Sequence, residues 1–227
     1  MNEVAIISNI SNRCQVKVCG IREPADAAAM DALGVDWVGF NFHPGSARFI
    51  TPESAAPLIR RLGLPAPVGV FVDADPQWVI DVAAYTGIRF AQLHGDEDWE
   101  YVRRMPIPVI KAIPHTRLAD LGGLREGLEA AIKRGEPSPL AFFLVDTQAG
   151  GKGFGGSGKT FDWTLLKRHP LPLPYFLAGG LGPHNLAEAL DAWAPFAVDL
   201  NSKVETAPGI KDMAKVKACM EIVRIGI

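Results

Sequence analysis

Short apolar runs alternate with longer stretches of helical periodicity along this chain, and the alternation repeats without a break. The pattern predicts eight strand–helix units. The first is Gln15 to Cys19 followed by a helix from Pro24 to Leu33. The second is Asp36 to Phe42, then a helix from Pro52 to Leu62. The third is Pro67 to Val72, then Pro76 to Thr86. The fourth is Arg89 to Leu93, then a short helix over Glu97 to Met105. The fifth is Pro108 to Ala112, with helix within Leu118 to Lys133. The sixth is Leu140 to Val145, with a helix opening near Phe161. The seventh is Tyr175 to Ala178, with a helix opening near Pro183. The eighth is Phe196 to Leu200, with a last helix over Lys211 to Val223. The strands show little polar alternation, as expected where both faces of a parallel sheet are covered. Several helices open at proline, whose missing N–H has no intrahelical partner in the first turn.

Eight such units predict an α/β fold, a single-domain (β/α)8 TIM barrel over residues 16–227, preceded by an N-terminal extension, residues 1–15. A doubly wound open sheet is the architectural alternative, since periodicity does not show closure.

Composition narrows the function classes. The chain has 227 residues, is 48% hydrophobic and carries a formal charge of −2. It has no basic cluster of the kind that tracks nucleic acid. It has no apolar run of about 18 residues that would span a membrane. Its beginning lacks the pattern of a secretory signal. The three cysteines, Cys14, Cys19 and Cys219, have no C-x-x-C spacing and are odd in number, against a disulfide framework or zinc site. A reducing cytoplasm, a small-molecule partner and no metal are the expectations.

In α/β barrels the chemistry sits at the C-terminal ends of the strands. The polar residues there are Lys17 and Cys19 on one face of the first strand, His94 after the fourth, Asp146 closing the sixth and Asp199 in the eighth. Arg48 follows the second strand and suits an anionic substrate. Each has an ordinary explanation alone: a buried thiol, a structural histidine, a loop charge. Their convergence on one barrel face favours a site. Gly179 and Gly180 close the seventh strand before a helix, where close backbone approach and a helix N-terminus favour phosphate.

A second glycine-rich stretch, Thr147 to Lys159, holds six glycines. It runs into Gly153-Phe154-Gly155-Gly156-Ser157-Gly158-Lys159-Thr160, which fits the nucleotide-binding pattern G-x-x-x-x-G-K-[ST] letter for letter. It does not follow its strand directly and comes late in the chain, so a lid over the barrel mouth is the expected role.

Lys17-Val-Cys-Gly-Ile21, Gly39-Phe-Asn-Phe42, Ser46-Ala-Arg48, Gln92-Leu-His-Gly95, Gly156-Ser-Gly-Lys-Thr-Phe-Asp-Trp163, Leu177-Ala-Gly-Gly-Leu181 and Val204-Glu205 before Pro208-Gly-Ile-Lys-Asp212 occur in this order. The set resembles the phosphoribosylanthranilate isomerase family over nearly all of Val16 to Val223. The resemblance implies an Amadori rearrangement of N-(5-phosphoribosyl)anthranilate without metal or organic cofactor. It implies Asp146 as general acid and Cys19 as general base, the thiol's acidity adjusted by Lys17 or Arg48. Arg48 would bind the anthranilate carboxylate. Lys17, His94 and Asp199 would contact substrate, and Gly179, Gly180, Asn201 and Ser202 the phosphate. A monomer or homodimer is expected. One departure stands out: the Ser-Ser-Gly run usual after the last strand's Asp reads Asn201-Ser202-Lys203 here. The competing classes are another phosphosugar barrel enzyme, a nucleotide-binding protein and an inactive barrel used for interaction.

Overall fold

The computed structural model describes residues 13–146 and 169–225. The elements are β1 (Gln15–Cys19), α1 (Pro24–Leu33), β2 (Trp37–Asn41), α2 (Pro52–Ile59), β3 (Ala66–Phe71), α3 (Pro76–Thr86), β4 (Phe90–Leu93), α4 (Trp99–Val102), β5 (Val109–Pro114) and α5 (Leu124–Arg134). They continue with β6 (Leu140–Asp146), β7 (Tyr175–Ala178), α6 (Leu186–Trp193), β8 (Ala197–Leu200), the hairpin strands β9 (Glu205–Ala207) and β10 (Ile210–Lys211), and α7 (Met213–Ile225). Strands β1 to β8 pair in sequence order and form a closed barrel. Closure comes from parallel pairing of β1 with β8, where Lys17 registers with Asp199. The open-sheet alternative is thereby excluded.

Local chemistry explains most boundaries. Pro24, Pro52 and Pro76 each occupy the first turn of a helix, as expected. Thr51 and Asp75 cap α2 and α3 by accepting from the amides of Ser54 and Gln77. The fourth helix is shorter than expected because Asp98 caps it and Glu97 is drawn into the interior. The helix after β7, α6, begins at Leu186 rather than near Pro183. Asn185 spans that turn, accepting from the Gly182 amide and donating to the Gly180 carbonyl. Gln15 opens β1, as the strand pattern predicts, and registers with Ala197, so the barrel takes in the last residue given to the extension. Residues 1–12, the Gly153 to Thr160 motif and the helix expected near Phe161 lie outside the described residues.

Two apolar compartments flank the sheet. Inside the barrel an aromatic floor forms from Trp37, Phe90, Phe142 and Phe176, with ring centroids of Trp37 and Phe90 4.7 Å apart. Outside, Val16, Val18, Val38, Phe40, Leu93 and Val145 pack against the helices. The alternation follows from side chains pointing to opposite faces of a strand. It sends Lys17, Cys19, Gln92 and Asp146 to the inside, above the aromatic floor. Among the described residues no helix is long and apolar enough to cross a membrane.

Candidate active site

Cys19 is the last residue of β1, and its Cα registers with Gly39 on β2. The absence of a side chain at Gly39 gives the thiol its place: a Cβ there would lie 2.7 Å from Sγ. Burial pushes the Cys19 thiol up, while the charges of Lys17 and Lys211 act in the opposite direction. The resting group is therefore a thiol with cations beside it.

Lys17 lies beneath, with 0% exposure. Its Nζ donates to Asp199 Oδ1 at 2.9 Å. Burial alone would lower the lysine's pKa, but the Asp199 carboxylate beside it raises it, so it is an ammonium ion. The sequence reading placed Lys17 and Asp199 against substrate. The structure pairs them with each other, because β1–β8 pairing puts them side by side on one rung.

His94 follows β4 and meets Asp146 at the end of β6, with Nε2 3.5 Å from Oδ2. On its other side His94 Nδ1 lies 2.9 Å from the Gln92 amide nitrogen. An amide N–H donating there leaves the histidine proton on Nε2, facing Asp146. The His94 loop is held from below by Lys111, whose ammonium donates to the carbonyls of Leu93 and Gly95 and pairs with Glu97 at 2.9 Å. Asp146 and Cys19 belong to strands separated by β7 and β8. A small substrate entering the mouth thus meets a carboxyl group and a thiol from different sides.

Arg48 is not a solvated loop charge. Its Nε donates to Glu205 Oε1 at 2.8 Å and its Nη2 to Oε2. Glu205 also accepts from Lys211 Nζ at 2.7 Å, and Lys211 donates to Asn201 Oδ1 at 3.2 Å. One buried carboxylate thus ties the loop after β2 to the β9–β10 hairpin. Searching strand ends missed Glu205, Lys211, Lys111 and Gly39. The first two stand in a hairpin past the last strand, and only their place in the recurring motif Val204-Glu205 to Asp212 marked them.

Gly179 and Gly180 adopt φ of 101° and 70°, conformations that glycine alone takes readily. Asn201 and Ser202 follow β8 on the same end of the barrel. Lys203 comes alongside: a Cβ added at Gly182 would lie 2.8 Å from Lys203 Cβ. The glycine turn after β7 and the turn after β8 therefore share one wall. Among the described residues no group of His, Cys, Asp or Glu is arranged to hold a metal ion.

A closed eight-stranded barrel with a thiol, a carboxyl group and a glycine-lined turn at the C-terminal ends of its strands defines a barrel enzyme of acid–base chemistry. The family described as N-(5'phosphoribosyl)anthranilate (PRA) isomerase matches residues 16–222. The N-(5'-phosphoribosyl)anthranilate isomerase of Nitrosomonas europaea is 37% identical over 213 residues, covering 93% of this chain and 96% of that one. The crystal structure of the Thermotoga maritima isomerase superposes with a TM-score of 0.76 and 38% identity, covering 93% of this chain and 98% of the other. A phosphoribosyl anthranilate isomerase in complex with reduced 1-(o-carboxyphenylamino)-1-deoxyribulose 5-phosphate has a TM-score of 0.73 and 34% identity, with the same coverages. The chain belongs to the N-(5'-phosphoribosyl)anthranilate isomerase family.

Proposed function

We propose that this chain isomerises N-(5'-phosphoribosyl)anthranilate to 1-(2-carboxyphenylamino)-1-deoxyribulose 5-phosphate, the Amadori step of tryptophan biosynthesis. The observation that carries the reading is that Cys19 and Asp146 close strands β1 and β6 at the same end of one barrel, in a chain of this family.

The chemistry needs an acid and then a base. Asp146, protonated, gives its proton to the ribose ring oxygen. The C1–O bond breaks as the nitrogen lone pair forms a protonated imine. The imine acidifies the neighbouring C2–H, and Cys19, in the thiolate form left once its own proton has passed to solvent, takes that proton. The released electron pair forms the C1–C2 double bond of an enolamine and neutralises the nitrogen. Protonation at C1 and loss of the enol proton give the ketone. Such proton transfers gain about 10²–10⁴-fold from a positioned group. His94 Nε2–H stabilises Asp146 as its carboxylate forms. Arg48 receives the anthranilate carboxylate, and the turns containing Gly179, Gly180, Asn201 and Ser202 receive the phosphate. The substrate is the only partner the chemistry requires, with a cytoplasmic monomer or homodimer as the working form.

Loss of anthranilate fluorescence on mixing the protein with freshly generated phosphoribosylanthranilate tests the reading. Catalysed loss that disappears in Cys19→Ser and Asp146→Asn supports reaction and roles together. A folded wild-type chain with no catalysis overturns the substrate. Near-normal turnover in either variant overturns that residue's role.

A further inference from the structure

Below the barrel mouth lies an ion pair that the proposed proton transfers do not use. Lys17 is fully buried and Asp199 is nearly so. An ammonium ion out of water is costly, and a buried pair is often replaceable by apolar residues at no loss of stability. The layer underneath is filled that way, by Trp37, Phe90, Phe142 and Phe176. A charged rung above an aromatic floor therefore needs another reason. Its geometry supplies one: Lys17 has three N–H donors, of which one goes to Asp199 Oδ1 at 2.9 Å, and Cys19 stands two residues on along the same inward face of β1.

Four charged groups act on Cys19 or are acted on by it. They are Lys17 from β1, Asp199 from β8, Lys211 from β10 and Arg48 from the loop after β2. Arg48 and Lys211 are both engaged by Glu205. Lys17 shares the inward face of β1 with Cys19, and Asp199, accepting from its ammonium at 2.9 Å, holds it there while opposing it electrostatically.

We propose that Lys17, anchored by Asp199, is a positioning residue for Cys19: its ammonium group fixes the sulfur at the barrel mouth and supports the thiolate that takes the substrate proton. The proposal rests on the reading of Cys19 as the base. It removes Lys17 and Asp199 from the substrate-contacting set and makes them a device acting through the sulfur.

The test follows the ultraviolet absorbance of the Cys19 thiolate against pH, taken as the difference between each full-length protein and the same protein carrying Cys19→Ser. Two variants are compared with the wild type. Asp199→Asn keeps the ammonium and weakens its counter-charge. The double variant Lys17→Met/Asp199→Leu replaces the whole pair by apolar groups and avoids stranding one charge. Asp199→Asn should move the ionisation midpoint down, and the double variant should move it up by about 1 pH unit or more. In the double variant kcat at neutral pH should fall about tenfold or more, following the thiolate population, while KM changes little. Midpoints that stay in place in both folded variants overturn the positioning role. A raised KM with kcat retained also overturns it, because that is the signature of a substrate ligand. Normal turnover in Cys19→Ser overturns the base assignment and the catalytic half of this proposal, and the midpoints still decide whether Lys17 governs the sulfur.

Discussion

Arg48 and Glu205, far apart in sequence, clasp each other through two parallel hydrogen bonds, Nε to Oε1 at 2.8 Å and Nη2 to Oε2 at 2.5 Å. Bidentate pairing fixes the plane of the guanidinium as well as its position. In the proposed reaction that plane is what the anthranilate carboxylate meets. Glu205→Gln keeps the shape but removes the charge from both the Arg48 and Lys211 contacts. One bond to a charged group contributes about 1.5–3 kcal/mol, so KM for the substrate should rise roughly tenfold or more in a folded protein. Steady-state kinetics with the fluorescent substrate decide it. An unchanged KM would mean that Arg48 does not depend on Glu205 for its orientation.

The same carboxylate gives the protein a defined acid limit. Burial alone would raise the Glu205 pKa, but the bonds from Arg48 and Lys211 outweigh it and hold the group below the usual carboxylate range. A group depressed in the folded state stabilises fully above its unfolded pKa, about 4.3 for glutamate. That contribution is lost as pH falls through the lower folded value. The thermal stability advantage of wild type over Glu205→Gln should therefore be constant near neutrality and shrink below about pH 4. Melting curves across pH would show it, and a gap that widens in acid would refute the sign.

Gly39 is predicted to be intolerant of a single methyl group. Its added Cβ would stand 2.7 Å from Cys19 Sγ and 3.1 Å from the Cys19 Cα. The backbone atom does not swing aside, so the thiol and its strand end must shift together. Overpacking of this kind costs about 1–3 kcal/mol of stability. A displacement of the base costs rate as well as folding, because a misplacement of about 1 Å is worth up to 10²-fold. Gly39→Ala should melt several degrees below wild type, about 2–4 °C for each kcal/mol lost, and lose well over tenfold in kcat. Wild-type turnover in this variant would show that the thiol has room to spare.

Lys111 supports the other half of the site. It sits under the His94 loop with four acceptors, the carbonyls of Leu93, Gly95 and Ala112 and the Glu97 carboxylate, whose side chain is 1% exposed. Lys111→Met would leave that carboxylate buried without its cation, a loss of about 3–5 kcal/mol. Urea titration measures it directly, and a change under about 1 kcal/mol would place Lys111 outside the structural core.

What the sequence made legible, and what it did not, divides along physical lines. Gln15–Cys19 and Tyr175–Ala178 are strands over the predicted residues, because an apolar run bounded by polar breakers carries its own limits. Pro24 and Pro76 likewise mark the first turns of their helices. Cys19, His94 and Asp146 were found by asking which polar residue closes each strand. That rule sees the end of a strand but not its partners. It could not show that Lys17 and Asp199 meet on one rung, since barrel closure joins residues from opposite ends of the chain. It could not find Glu205 or Lys211 either, because their hairpin carries no strand-to-helix signal, and only folding brings it over the mouth.

The departure at Lys203 yields the prediction most particular to this chain. In the resembling family a glycine follows two serines here, a residue whose N–H can approach phosphate closely. Lys203 takes its place, with its Cβ against the glycine turn after β7 and its side chain exposed. A flexible ammonium ion reaching a phosphate from the rim acts as a point charge rather than a fixed cradle. Its contribution should therefore be screened by salt, over a distance of about 8 Å at physiological ionic strength. If Lys203 supplies phosphate affinity by charge, Lys203→Gly should raise KM several-fold at low salt, with kcat unchanged, and the difference should narrow as salt is added. Competition by inorganic phosphate should weaken in parallel. A variant that binds more tightly than wild type would show instead that the glycine's backbone contact is the better ligand, and that this chain has given up affinity by replacing it.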